Sequence, residues 1–367
     1  MKIFIEDGLQ IRNGTGIAQH TLHLYEALSR RDDVQVELTQ FAPQTRSKVK
    51  RRLLYLLHIH SPSFFRQSKT YDVMHYTNFV TPMWRPKSVA CVVTIHDLSV
   101  FLFSDVLPWA ARLYAQFMIR HSLRRADLVL TDSETVHQEL QKYFPKHKAP
   151  IRVTYSGIDL LPKDTVKPGP YENEELSGLK NDRFFLFVGT IEKRKNVGML
   201  IDAFLKLRKQ RPGEAVKLVL AGRLGFGGDE FQAIANRSPY GKDIIFTGYI
   251  AQDDRDKLYR NALAFVFPTV YEGFGTPQLE CMRWELPIIL SDIPVNREIS
   301  GAYGVYFDLQ NVDTLVDCMR RFLDGEVDTE RKRSVAAEKL ERFSWDNIAQ
   351  LHMDAYRWVW KKKENSR

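Results

Sequence analysis

Short apolar runs alternate with stretches of helical periodicity along the whole chain. Lys2–Glu6 is the first run, and others follow at Val34–Gln40, Val89–Thr94, Leu128–Thr131 and Ile151–Thr154. Between them apolar positions recur every three or four residues, the spacing of an amphipathic helix. Strands separated by helices predict a parallel sheet with right-handed crossovers. A second series follows at Phe184–Gly189, Leu218–Ala221, Ile244–Thr247, Ala264–Phe267, Pro287–Leu290 and Gly304–Phe307. Pro162, Pro168, Gly169 and Pro170 interrupt the pattern between the two series and read as a linker. The expected class is α/β, with two doubly wound Rossmann-like domains of mainly parallel strands. Their expected bounds are residues 1–165 and 182–345, with a linker at 166–181 and a terminal helix at 346–367.

Composition narrows this picture. A chain of 367 residues suits two α/β domains rather than one core. A hydrophobic content of 44% with 27% charge describes a globular protein, not a disordered one. Met1–Ile5 runs into Glu6-Asp7 and reads as a strand rather than a leader. No stretch approaches the ~18–20 apolar residues of a membrane span. Cys91, Cys281 and Cys318 are scattered and lack metal spacing, so they read as buried thiols of a reducing, cytoplasmic compartment. The net charge of +8 implies an anionic partner.

Chemistry concentrates in Tyr271-Glu-Gly-Phe-Gly-Thr-Pro-Gln-Leu-Glu280. Glu272 and Glu280 flank a glycine turn, after the apolar run 262–267 and before a helix opened by Pro277, a residue favoured at the first helical position. Backbone N–H groups of Gly273, Phe274, Gly275 and Thr276 are expected to meet an anion there. One carboxylate can accept from a pair of ribose hydroxyls and the other from a sugar beside the phosphates, which describes a nucleotide-sugar site. Upstream, Arg194 and Lys195 lie in a loop after a strand, where two cations can neutralise a departing diphosphate. Gly16 follows the first strand and opens a helix, a second place for close backbone approach. His96 ends a strand; it can hydrogen-bond a sugar hydroxyl or steady charge at the anomeric carbon. Asp97 can orient its ring or cap the next segment. Backbone near Gly222-Arg223 and Tyr249-Ile250 is expected to read the base.

These motifs resemble those of family 4 glycosyltransferases, retaining enzymes of GT-B fold, over most of the chain. The family's E-x7-E signature is matched by Glu272 and Glu280, its phosphate lysine by Lys195, and its N-terminal motif facing the sugar by Ile95-His-Asp97. The chain departs from the pattern at Thr190, Gln278, Cys281, Glu285-Leu286 and Arg297, which bears on packing or subfamily. The resemblance implies catalytic roles for His96, Glu272, Lys195 and Arg194 and an interdomain cleft. It also implies retention by departure and attack on one face, without a covalent nucleophile. Gly-Thr-Gly-Ile-Ala at 14–18, His-Asp-Leu-Ser at 96–99 and Lys-Arg-Lys-Asn at 193–196 are most similar to bacterial mannosyltransferases of surface-polysaccharide assembly. GDP-mannose is therefore the favoured donor, with a polyprenyl-diphosphate-linked or oligosaccharide acceptor.

Two further features admit more than one reading. Seven Lys or Arg residues and no acid lie between Phe41 and Tyr71, with Val49, Leu53, Leu56 and Leu57 at helical spacing. The 46–69 segment suits an anionic membrane surface, placing the enzyme on the inner face of the cytoplasmic membrane, or packs as a helix on its own domain. Asp254-Arg-Asp256 spells a metal-binding D-x-D, but its setting predicts helix-capping acids, so no metal is expected. A nucleotide-sugar epimerase of the same architecture is the rival reading. A nucleic-acid-binding role is not supported, since no aromatic–basic interleaving appears.

Overall fold

The structure, a computed structural model, describes residues 1–9, 16–39, 41, 43–45, 47–103, 108–160, 169–179, 182–225 and 227–365. The chain divides into two compact units, Met1–Asp159 with Arg342–Arg367, and Leu160–Glu341.

In the first unit six parallel strands form one sheet: β1 (Lys2–Glu6), β2 (Gln35–Leu38), β3 (Val73–Tyr76), β4 (Ala90–Ile95), β5 (Leu128–Thr131) and β6 (Ile151–Val153). Their order is β2-β1-β3-β4-β5-β6. The intervening helices are α1 (Gly16–Ser29), α2 (Lys48–Ile59), α3 (Pro62–Ser68), α4 (Ser99–Leu102), α5 (Trp109–Arg125) and α6 (Glu134–Tyr143). Every residue of β4 and β5 is buried, as expected of strands covered on both faces. Ser61 and Ser133 start α3 and α6 by accepting from Phe64 N at 3.1 Å and Val136 N at 3.2 Å. The apolar pattern does not disclose β3, because a histidine interrupts it. His75 is fully buried there, with Nε2 2.8 Å from Thr94 Oγ1 and Nδ1 2.7 Å from the Tyr356 hydroxyl.

The second unit has its own six-stranded parallel sheet: β7 (Arg183–Val188), β8 (Val216–Ala221), β9 (Ile244–Gly248), β10 (Ala264–Phe267), β11 (Ile288–Ser291) and β12 (Gly304–Phe307). Its order is β12-β11-β10-β7-β8-β9. Helices α7 (Val197–Gln210), α8 (Gly228–Asn236), α9 (Gln252–Asn261), α10 (Pro277–Arg283), α11 (Pro294–Ser300), α12 (Val312–Leu323) and α13 (Thr329–Arg342) connect them. From β7 the chain winds outward to β9 on one side, then restarts at β10 and winds outward to β12 on the other. The loops after β7 and β10 therefore lie side by side at the carboxyl ends of adjacent strands. In open α/β sheets that switch point is where ligands bind.

The terminal helix α14 (Trp345–Glu364) packs against α1 and β4 of the first unit, burying Ile348, Met353, Tyr356 and Val359. The first unit thus reclaims the chain from Arg342, slightly earlier than the pattern predicts. Part of the expected 166–181 linker belongs to the second unit. Leu176 is fully buried, and the amides of Glu172 and Asn173 are held by Asp254. Residues 161–168, 180 and 181 lie outside the described residues.

Candidate active site

At the switch point of the second unit, a single 3₁₀ turn, Lys193–Lys195, follows the β7 loop. It is reversed into α7 by Asn196 in left-handed conformation, φ 53°. The turn is stitched to the β10 loop: Val270 N donates to the Arg194 carbonyl at 3.1 Å, and Arg194 Nη1 donates to the Tyr271 carbonyl at 2.9 Å. This brings two cations onto Glu272. Lys195 Nζ donates to Glu272 Oε1, and Arg194 Nη1 lies 3.3 Å from the same oxygen while Nη2 reaches Glu192 at 2.9 Å. The fully buried Thr269 hydroxyl sits 2.9 Å from Glu272 Oε1, and Ser291 Oγ donates to the Thr269 carbonyl at 2.5 Å. Burial alone would raise the Glu272 carboxyl, but Lys195 and Arg194 hold it below its ordinary value. Glu272 is therefore an anion held by the two cations.

The glycine turn is held from beneath. Gly275 has φ 86°, and a Cβ there would lie 2.5 Å from Gln278 Nε2, so only glycine fits. Gln278 is fully buried, with Nε2 2.9 Å from Asn296 Oδ1 and 3.4 Å from the Phe274 carbonyl, while its Oε1 accepts from Ser300 Oγ at 2.7 Å. The family departure at Gln278 thus touches the glycine turn itself. Glu285, another departure, adopts φ 54°, a conformation glycine takes more readily. Helix α10, which follows the turn, has only seven residues. Glu280 lies in its first turn, where the buried Tyr259 hydroxyl donates to Oε2 at 2.5 Å. That bond fixes one carboxylate oxygen and leaves the other toward Arg255, 3.8 Å away.

Gly222 closes the neighbouring loop. Its φ is 151°, and a Cβ would stand 2.0 Å from the Gly189 carbonyl, so the β7 and β8 loops touch backbone to backbone. Tyr249 is 70% exposed with the Arg223 guanidinium 4.9 Å over its ring, whereas Ile250 is buried. Gly273, Phe274, Gly275 and Thr276 lie in the β10–α10 loop, with Phe274 buried and Thr276 exposed.

His96 and Gly16 belong to the first unit. His96 follows β4, and both its ring nitrogens have partners: Nδ1 lies 2.5 Å from Asp132 Oδ2 and Nε2 2.7 Å from the Thr77 carbonyl. A carbonyl only accepts, so Nε2 carries a proton. Burial opposes charging the ring, but Asp132 beside it raises its pKa above the usual value. Asp97 does not orient the ring: its Oδ1 accepts from Ser99 N at 2.8 Å and Ser99 Oγ at 2.6 Å, just ahead of α4, whose N-cap is Leu98. Around His96 lie neutral histidines. Burial pushes His20 down to about 3 and His352 to about 4, and His20 Nε2, His352 Nε2 and Asp132 Oδ1 have no hydrogen-bond partner among the described residues. Gly16 opens α1, and residues 10–15 of the preceding loop lie outside the described residues. Glu6, at the end of β1, is raised to about 8 by burial and by Asp7.

The D-x-D string is engaged elsewhere. Asp254 is buried and accepts from Glu172 N at 3.0 Å and Asn173 N at 2.8 Å, so it clamps another segment rather than capping its own helix. Asp256 accepts from Gln252 Nε2 at 2.8 Å. Sequence reasoning passed over Thr269, Tyr259 and Asp132, three short-range partners of assigned residues. Only their positions at a strand end or one helix upstream of the signature hinted at them.

Two family models match consecutive stretches of this chain, Glycosyltransferase Family 4 over residues 14–160 and Glycosyl transferases group 1 over residues 172–340. The chain belongs to the family 4 glycosyltransferases, and its two Rossmann-like units are those of the GT-B fold. It is 27% identical to O-antigen chain mannosyltransferase B of Escherichia coli, over 80% of this chain and 75% of that one. It is 26% identical to O-antigen chain mannosyltransferase RfbU of Salmonella typhimurium, over 67% and 66%. Among solved structures it resembles Anabaena HepE in complex with UDP and glucose, with a TM-score of 0.66 and 17% identity over 97% of this chain and 99% of that one. The protein is a glycosyltransferase.

Proposed function

We propose that this glycosyltransferase moves a mannosyl group from GDP-mannose, with retention, onto a lipid-linked or oligosaccharide acceptor during assembly of a bacterial surface polysaccharide. The carrying observation is Glu272 held by both Lys195 and Arg194 at the sheet's switch point, in a chain similar to two O-antigen mannosyltransferases. An incoming diphosphate displaces the carboxylate from the two cations, which then neutralise the charge that grows on the leaving group. Glu272, released, accepts from hydroxyls of the sugar. Glu280, fixed through Tyr259, accepts from the ribose, and the backbone at Gly222 and Tyr249-Ile250 reads the base. The bond from the anomeric carbon to the phosphate oxygen breaks, the bond to the acceptor oxygen forms on the same face, and the acceptor proton passes to the departing phosphate. No step uses a metal.

The test is incubation with GDP-mannose and a lipid-linked oligosaccharide acceptor, with the product's anomeric configuration read by NMR. An α-mannoside formed only with acceptor present supports the reading. Turnover of the donor to an epimer without acceptor, or a β-linked product, overturns it.

A further inference from the structure

Thr77, His96 and Asp132 each stand one residue past a strand, after β3, β4 and β5, at the carboxyl edge of the first unit's sheet. The three strands are neighbours, so a single imidazole spans all three ends. His96 Nδ1 meets Asp132 Oδ2 at 2.5 Å and Nε2 meets the Thr77 carbonyl at 2.7 Å. The ring is pinned at both nitrogens, and the pair is withdrawn from water, 13% and 8% exposed.

Both neighbours of the ring only accept. A carbonyl has no proton to give. Burial works against ionisation of Asp132, but His96 beside it holds the carboxyl below its ordinary value, so it too is a bare acceptor. Each ring nitrogen therefore carries a proton, and His96 is an imidazolium with no lone pair to offer.

The other titratable groups facing the ring do not take this charge. His20 of α1 has its ring centroid 5.5 Å from that of His96, and His352 comes from α14. Burial pushes these two down to about 3 and about 4, and pushes His75 of β3 well below its ordinary value. For His96 burial also opposes the charge, while Asp132 in contact and Asp97 next in the chain favour it. Among these four rings the positive charge thus falls on His96, and contact with Asp132 is what puts it there.

The charge separates two roles that the motif leaves open. A neutral ring with a bare nitrogen could steady positive charge at the anomeric carbon. An imidazolium repels that charge and attracts hydroxyl or phosphate oxygens instead.

We propose that Asp132 is a positioning residue of the transfer reaction, keeping His96 doubly protonated and fixed in orientation so that the sugar donor meets it as a cation. The inference rests on the transfer reading above and on the place beside the sugar that the motif implies for His96.

The experiment compares wild type with Asp132→Asn, an amide of the same size. The amide can donate to Nδ1, which leaves a neutral ring whose proton stays on Nε2 toward the Thr77 carbonyl. Histidines are labelled with nitrogen-15, and His96 is identified by the signals missing from His96→Gln. At about pH 7.5, one unit above the ordinary histidine value of about 6.5, wild-type His96 should show two protonated nitrogens. The Asp132→Asn ring should show one protonated and one bare.

Transfer from GDP-mannose is followed against pH in parallel. Wild-type kcat should fall as pH rises through the titration of His96, because loss of its proton removes the charge. In Asp132→Asn, kcat at about pH 7.5 should drop at least about tenfold with little change in KM, and the alkaline fall should move to lower pH. A neutral His96 in wild type at about pH 7.5 overturns the proposal, whether or not the variant folds. So does a folded Asp132→Asn with the kcat and pH profile of wild type. The spectra need no sugar donor, so a wrong donor assignment is told apart from failure of this inference.

Discussion

Replacing Glu272 by alanine should make the free protein less stable and its complex with GDP relatively more so. The carboxylate is 11% exposed and its partners Lys195 and Arg194 are 15% and 20% exposed. Removing one member of a fully buried pair costs about 3–5 kcal/mol, because the other charge is left uncompensated. An exposed pair is worth less than about 1 kcal/mol. At this degree of burial the loss should be about 2–3 kcal/mol, the two cations now facing each other. For a unit of this size that corresponds to a fall in melting temperature of about 4–12 °C. A diphosphate supplies the missing negative charge, and in the variant it no longer competes with a carboxylate. Saturating GDP, about a hundredfold above its dissociation constant, stabilises wild type by about 2.7 kcal/mol. The variant should gain more than that while transferring no sugar. Differential scanning fluorimetry with and without GDP reads both effects. A variant that melts within about one degree of wild type, or that GDP stabilises less, refutes the proposed exchange of carboxylate for diphosphate.

Four other outcomes are expected. Gln278→Leu leaves Asn296 Oδ1 and the Ser300 hydroxyl buried without a partner, a cost of about 2–4 kcal/mol in urea denaturation; a neutral result would mean that the network is not holding the glycine turn. Tyr259→Phe frees Glu280 Oε2 and should weaken GDP binding several-fold by calorimetry, with a smaller loss for 2′-deoxy-GDP; equal losses for both would detach Glu280 from the ribose. Activity should survive EDTA, and its loss and rescue by a divalent ion would overturn the metal-free account. The first unit should be most stable near pH 6.5. Below that value, unfolding lets His20 and His352 take up protons that their lowered pKa values of about 3 and 4 deny them, so stability falls with acidification. Above it the native state keeps protons on Glu6, raised to about 8, and on His96, also raised, so stability falls as pH rises. A urea midpoint that changes in only one direction from pH 5 to 8.5 would contradict these assignments.

Much of this was legible in the sequence where local pattern and tertiary context agree. Among the described residues, eleven of the twelve strands announce themselves as apolar runs, since a strand covered on both faces needs little else. The β3 strand escaped because His75 breaks its run, and what makes that histidine tolerable is the pair Thr94 and Tyr356, the latter 281 positions away. The signature pair Glu272 and Glu280 was visible because its members flank one short turn. The pairing of Lys195 with Glu272 was not: the two lie 77 residues apart and meet only because β7 and β10 are adjacent in the sheet. Asp132, 36 residues from His96, is brought beside it by β5 pairing with β4. Asp254 shows the converse, since its local setting suggests a helix cap while the fold uses it to clamp residues 172–173.

The central claim is that the Lys195–Arg194–Glu272 cluster grips the diphosphate of an activated sugar. Isothermal titration of GDP and GDP-mannose into wild type and Lys195→Ala tests it most directly. Saturable binding to wild type, at least about tenfold weaker in the variant, is the predicted result; no nucleotide binding to wild type, or undiminished binding to Lys195→Ala, would contradict it.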